Sequence, residues 1–254
     1  MTMTELDFSG QSIWVTGAGR GIGFATAQRF TELGAVVTGL DRNFDKPEKY
    51  PFHCQSLDLS NADQVAAGCD NILSQRPQIH GLINAAGILH TGSTENISRQ
   101  AWQDCFNVNV GAAFNLFQQL IPQFKRQRRG SIVTVSSNAA HVPRMQMSAY
   151  CASKAALTSL NHCVALELAG YNVRCNVVSP GSTDTDMQRS LWHTPDARQQ
   201  TINGFPDQYK LGIPLGKIAT ADEIANTIVF LASDMASHIT MQDIIVDGGA
   251  TFYR

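Results

Sequence analysis

The chain has 254 residues, 43% of them hydrophobic and 16% charged, with a formal net charge of −2. That is enough apolar material for a sizeable core, and the near-neutral balance excludes a general polyanion binder and gives no special attraction to a membrane surface. The six cysteines form no CxxC pair and the seven histidines no i, i+4 pair or HExxH, so no metal site and no disulfide framework are expected.

In chain order, apolar strand-like runs alternate with helical patterns. The first run, 12–16, leads into Thr16-Gly17-Ala18-Gly19-Arg20-Gly21-Ile22-Gly23 and a helical pattern over 21–33, the strand, turn and helix context that a dinucleotide-binding loop needs. Missing side chains let the backbone approach a pyrophosphate, and the helix N-terminus turns N–H groups and a positive dipole end toward it. A second strand over 35–40 leads to Asp41, whose carboxylate suits ribose hydroxyls and repels a 2′-phosphate. NAD is therefore the expected cofactor, although Arg20 and Arg42 would attract a phosphate.

A strand over 52–57, a helix over 62–74, a strand over 81–84 and one long helix over 100–124 follow. The basic cluster after that helix, Lys125, Arg126, Arg128 and Arg129, reads as a solvated C-terminus or subunit contact rather than a nucleic-acid site. Strands over 131–136, 173–178 and 244–246 and helices over 149–169 and 221–232 complete the pattern. This order predicts an α/β fold: a single-domain, Rossmann-type doubly wound sheet of about seven parallel strands with helices on both faces. Ligands then bind beyond the carboxyl ends of the strands. The stretch 182–215 lacks periodicity and is too long for a simple connection, which predicts a substrate lid.

Tyr150 and Lys154 lie one helical turn apart, so their side chains share a face. A phenol with a pKa near 10 is a poor base at neutral pH, and a lysine ammonium beside it is expected to lower that value. Ser137 would hold the substrate oxygen. His141 either touches substrate or packs its loop, and Met145, Met147, Met187 and Trp192 form either an apolar substrate wall or core.

The glycine loop, Asn84-Ala85-Ala86-Gly87, Asn109, Ser137, Tyr150, Lys154 and Pro180-Gly181 together resemble the short-chain dehydrogenase/reductase family over essentially the whole chain. Ala85 departs from the pattern, since the family often has a second Asn there. The resemblance implies an NAD-dependent oxidoreductase in which Gly17, Gly19, Arg20, Gly21, Ile22, Gly23, Asn84, Ala85, Gly87, Pro180, Gly181 and Thr183 surround the dinucleotide. It further implies that Asp58 meets the adenine amino group, Thr185 the nicotinamide carboxamide, and Asn109 a relay water behind Lys154. The thirteen-residue spacing to Tyr150 selects Ser137 over Ser136. Relatives are commonly homotetramers.

Within the family, Gly87-Ile88-Leu89, 142–150, 179–192 and 211–219 are similar to a subgroup that oxidises a dihydrodiol carboxylate to 2,3-dihydroxybenzoate in siderophore synthesis. The implied substrate carboxylate needs a cation, with Arg144 first and Arg189 second, and Met147 beside it. Two alternatives share the motif set: an NADP-dependent reductase of ketoacyl or small carbonyl substrates, and a dinucleotide-sensing module without turnover. No basic-then-apolar leader stands near Met1 and no run of about 18 apolar residues occurs, so a cytoplasmic protein without membrane or nucleic-acid partners is expected.

Overall fold

A computed structural model describes residues 6–252. Seven strands form one sheet: β1 (Ser12–Thr16), β2 (Val36–Asp41), β3 (His53–Ser56), β4 (Gly81–Asn84), β5 (Gly130–Val135), β6 (Val173–Pro180) and a last strand, Asp243–Val246. Their spatial order is β3, β2, β1, β4, β5, β6 and the last strand, and every neighbouring pair is parallel. The order reverses between β1 and β4, leaving a crevice beyond their carboxyl ends.

Side-chain alternation along the central strands builds a core on each face. Trp14, Leu82 and Ile132 belong to one core, with residues of helices α2 (Ala62–Gln75), α4 (Ala112–Gln127) and α5 (Ser148–Ala169). Their neighbours Ile13, Val15, Ile83 and Val133 belong to the other, with Phe30 of α1 (Gly21–Glu32) and Ile228 of α8 (Ala221–Ala232). Burial of both faces explains why β1 and β4 read as continuous apolar runs rather than alternating ones. Local chemistry sets the helix starts: Asn61 caps α2, and Thr220 with Glu223 forms a reciprocal capping box at α8.

The expected strands are all present, with ends shifted by at most two residues. The single helix expected over 100–124 is not formed. Instead α3 (Arg99–Phe106) and α4 are joined by a wide π turn, Asn107–Gly111. Asn109 sits in that turn and bonds both the N–H and the C=O of Ile88, a tertiary demand that helical periodicity does not reveal. The aperiodic stretch contains α6 (Asp186–Arg189), α7 (Ala197–Asn203) and the antiparallel hairpin β7 (Gly204–Phe205) and β8 (Lys210–Leu211); the sheet strand Asp243–Val246 is therefore β9. The basic cluster buttresses a helix end: Arg128 donates to the Gly170 carbonyl at 3.1 Å, and Lys125 and Arg128 lie over the Tyr171 ring.

Arg174 on β6 donates to the carbonyls of Leu231, Ala232 and Ser233, completing the C-terminus of α8. Arg174→Met should therefore lower the unfolding free energy by about 1.5–3 kcal/mol, the worth of a charge-assisted hydrogen bond. Urea denaturation followed by circular dichroism measures this.

Candidate active site

β1 delivers the chain into the glycine loop. The Thr16 hydroxyl oxygen accepts from the backbone N–H of Ala85 at 2.9 Å and of Ala86 at 3.0 Å, fastening this loop to the exit of β4. Packing here leaves no room for side chains. A Cβ on Gly17, whose φ is +65°, would lie 2.9 Å from Ala86 Cα, and one on Gly23 would lie 2.1 Å from the Gly17 carbonyl oxygen. Gly19 is held at both ends: its N–H donates to Asp41 Oδ2 at 2.9 Å and its carbonyl accepts from the Tyr50 hydroxyl at 3.0 Å. Arg20, the N-cap of α1, makes no side-chain cap bond, and no acidic residue occupies the first turn. The helix start thus presents open N–H groups to an anion. Ile22 and Ala85 line the adjoining cavity, and Thr185 Cγ2 approaches Gly21.

Asp58, beyond β3, accepts from both the N–H and the hydroxyl of Ser60, which holds its carboxyl below the ordinary range. Asn84 is buried, with its amide nitrogen donating to Thr134 Oγ1. Pro180 and Gly181 end and follow β6, and Thr183 donates to the Gly181 carbonyl. Thr185 accepts from Gln188 N–H as the cap of α6.

The residues expected to handle a proton converge from three elements. Ser137 follows β5, and its oxygen accepts from Ala139 N–H at 3.1 Å. Tyr150 and Lys154 stand on α5, 9% and 4% exposed, with the ammonium 5.8 Å from the phenol ring centroid. Lys154 Nζ donates to the Val135 carbonyl at 2.8 Å. The missing side chain of Gly87 admits both Asn109 Oδ1 and Lys154 Nζ, each within 3.4 Å of where its Cβ would stand. Asn109 also donates to Ser153 Oγ, which locks it to α5.

Electrostatics departs from the sequence expectation. Burial pushes the Tyr150 phenol up to about 12, with the Ser137 hydroxyl acting in the lowering direction, and burial pulls Lys154 down to about 8. The ammonium bonds a backbone carbonyl rather than the phenol oxygen, so within the chain alone desolvation dominates both groups.

A cavity of about 500 Å³ extends from the glycine loop past Ser137, Tyr150 and Lys154 to the inserted segment. Arg144, Met145, Met147, Met187 and Trp192 line it. Arg189 does not: it is exposed and paired with Asp184 at 2.8 Å and Asp186 at 3.6 Å. His141 turns away, its Nε2 lying 2.9 Å from Asp243 Oδ2, so it packs the loop. Lys210 lines the cavity too, although no periodicity or motif in the sequence singles it out.

A family model described as enoyl-(acyl carrier protein) reductase matches residues 17–251. The chain belongs to the short-chain dehydrogenase/reductase family. It is 63% identical to the 2,3-dihydro-2,3-dihydroxybenzoate dehydrogenase of Escherichia coli (strain K12), covering 97% of this chain and 99% of that one. Identity with the enzyme of the same name from Bacillus subtilis (strain 168) is 41%, covering 98% and 99%. Among solved structures of the family, the 3-ketoacyl-(acyl-carrier-protein) reductase from Brucella melitensis complexed with NADH superposes with a TM-score of 0.86 at 28% identity, covering 96% of this chain and all of that one.

This chain places an ionisable pair, Tyr150 and Lys154, in its interior, and stability must register it. Between about 8 and 10.5 the unfolded chain binds the Lys154 proton that the folded chain has lost, so stability rises with pH there, while below about 8 the penalty is complete and constant. Tyr150 acts in the opposite sense, costing stability only as pH climbs from 10.0 toward about 12. The difference in unfolding free energy between wild type and Lys154→Met should therefore shift toward wild type across the lysine window, by no more than about 1.4 kcal/mol per pH unit. Urea titrations below and above the folded-state value of about 8 measure it.

Proposed function

We propose that the enzyme oxidises 2,3-dihydro-2,3-dihydroxybenzoate to 2,3-dihydroxybenzoate with reduction of NAD, supplying the catechol for siderophore synthesis. The observation that carries this reading is the 63% identity, over nearly the full length of both chains, with an enzyme named for that reaction. The cavity agrees in chemistry, combining a proton-handling serine and tyrosine with an arginine that suits a carboxylate.

The dinucleotide fits the residues present. The crowded positions of Gly17, Gly19 and Gly23 and the open start of α1 form a cradle for a pyrophosphate, with Arg20, Gly21 and Ile22 beside it. Asp41 would read the adenosine ribose, Asp58 the adenine, and Asn84, Ala85, Gly87, Pro180, Gly181, Thr183 and Thr185 the ribose and carboxamide of the nicotinamide half. The bound group supplies the hydride acceptor and a positive ring that favours the phenolate.

Ser137 holds the reacting ring alcohol. Tyr150 takes the hydroxyl proton as the same carbon loses hydride, and Lys154 with Asn109 passes that proton on. The resulting ketone enolises, and aromatisation makes the overall oxidation favourable, so the chain needs to supply only orientation and proton removal. Arg144 holds the carboxylate, Met147 packs beside the ring, and segment 182–215 closes over the substrate. Arg189 is left to its two aspartates.

The reading extends to a homotetramer in the cytoplasm. Exposed Trp102, Phe114 and Leu166 on α3, α4 and α5 support association, and the six unpaired cysteines suit a reducing compartment. No described helix is long and apolar enough to cross a membrane.

Purified protein given NAD and the dihydrodiol should produce NADH and catechol fluorescence together, and Tyr150→Phe should lower turnover by at least ~10²-fold. Turnover of a ketoacyl thioester, with none of the dihydrodiol, would replace this reading by that of a reductase. Asp41→Asn keeps an acceptor for Gly19 N–H but removes the charge, so it should raise the ratio of NADP to NAD efficiency by about tenfold, the effect of ~1.4 kcal/mol. Asp41→Ala also frees the Gly19 amide and should raise KM for NAD further. Steady-state kinetics with both cofactors measures each.

A further inference from the structure

We infer that Lys210 is a second carboxylate-binding residue, so that the substrate carboxylate is held between Arg144 of the body and Lys210 on the hairpin of the inserted segment. This rests on the dihydrodiol carboxylate reading above.

Lys210 begins β8, paired in register with Phe205 of β7, and its ammonium stands 5.3 Å from the Phe205 ring centroid. Tight backbone packing fixes the hairpin: Gly204 has φ +92°, and a Cβ there would lie 2.5 Å from Gly212 N. The Ile213 N–H donates to the Ile202 carbonyl of α7 at 2.7 Å, and the Leu215 N–H donates to the Gly248 carbonyl at 3.1 Å, which ties the hairpin's exit to α7 and to the body. Tyr209 consequently stands 91% exposed while its neighbour Lys210 is half-buried and lines the cavity.

Arg144 reaches the same cavity from the loop before α5. Among the described residues, neither cationic head has a hydrogen bond or an ion pair. Arg144 feels first the Cys151 thiol, which burial pushes up, and then the Asp247 carboxylate, which is already engaged: its oxygens accept from Asn138 Nδ2, the Thr251 hydroxyl and Gly249 N–H. Burial holds the Lys210 ammonium below its ordinary pKa, and the charge of Arg144 lowers it further. Two partly desolvated cations that feel each other and lack an acid partner raise the free energy of the site until an anion enters. A planar carboxylate has two oxygens to divide between a guanidinium fork and an ammonium. Contributions from the body and from the insertion would tie recognition of the carboxylate to the position of the segment that covers the substrate.

The test uses full-length enzyme carrying Lys210→Met or Lys210→Arg. With 2,3-dihydro-2,3-dihydroxybenzoate, Lys210→Met should raise KM by about tenfold or more, as loss of a charge-assisted hydrogen bond does, with kcat held within about twofold. Lys210→Arg should restore KM toward the wild-type value. Binding of 2,3-dihydroxybenzoate to the NADH-loaded enzyme should weaken in parallel, while binding of catechol, which lacks the carboxylate, should not change. An unchanged KM, equal weakening of both ligands, or failure of arginine to rescue would overturn the inference and leave Lys210 as a hairpin residue. If wild-type protein does not turn over the dihydrodiol, the reading of function fails. The two binding measurements still decide whether Lys210 recognises a carboxylate.

Discussion

Thr16 accepts two hydrogen bonds from the consecutive amides of Ala85 and Ala86, and the geometry of the crevice depends on that fastening. β1 and β4 are neighbours at the point where the sheet reverses its winding, so their exit loops diverge unless something holds them. The hydroxyl brings the loops into van der Waals contact, at a separation only Gly17 tolerates. Asp41 and Tyr50 then pin Gly19 from the second strand and its following loop. Four parts of the chain are thereby joined into one wall against which a dinucleotide can be held at reduced ordering cost.

Behind that wall, ionisable groups are buried where water cannot compensate them. Lys154 keeps its charge in the interior through the Val135 carbonyl, and Asn109 is fixed by Ile88 and Ser153. The π turn at Asn107–Gly111 is the backbone's accommodation to that demand. Burial pushes the Tyr150 phenol up to about 12, so the base role proposed for it calls for a positive charge beside it in the cavity.

The body and the insertion divide the chemistry. Body elements carry the glycine loop, Ser137, Tyr150 and Lys154, on a fold shared with a family member named for another substrate. The α6, α7 and β7–β8 segment supplies Met187, Trp192 and Lys210 to a cavity that Arg144 and Met147 also line. Under the proposed function, substrate choice would rest on surface elements carried by the sheet and its helices.

The order of strands and helices, the glycine loop and the Tyr150–Lys154 pair were legible in the sequence, because period, turn chemistry and helical spacing are local properties. The break in the helix after Phe106 was not, since its cause is the backbone of Ile88, twenty-one positions before the Asn109 that bonds it. Nor was the difference between the two arginines. Both stand near plausible site residues in sequence, but folding gives Arg189 two aspartates and leaves Arg144 facing the cavity. The phenol's raised pKa likewise follows from three-dimensional burial, which opposes the neighbouring ammonium that sequence spacing foretells. Lys210 had no signal in a stretch without periodicity; a hairpin register placed it in the cavity. Sequence by itself determined which chemistry the chain can perform, because those residues act through short, regular spacings. Tertiary structure alone decided which charges line the cavity, because burial and pairing arise only where distant segments come together.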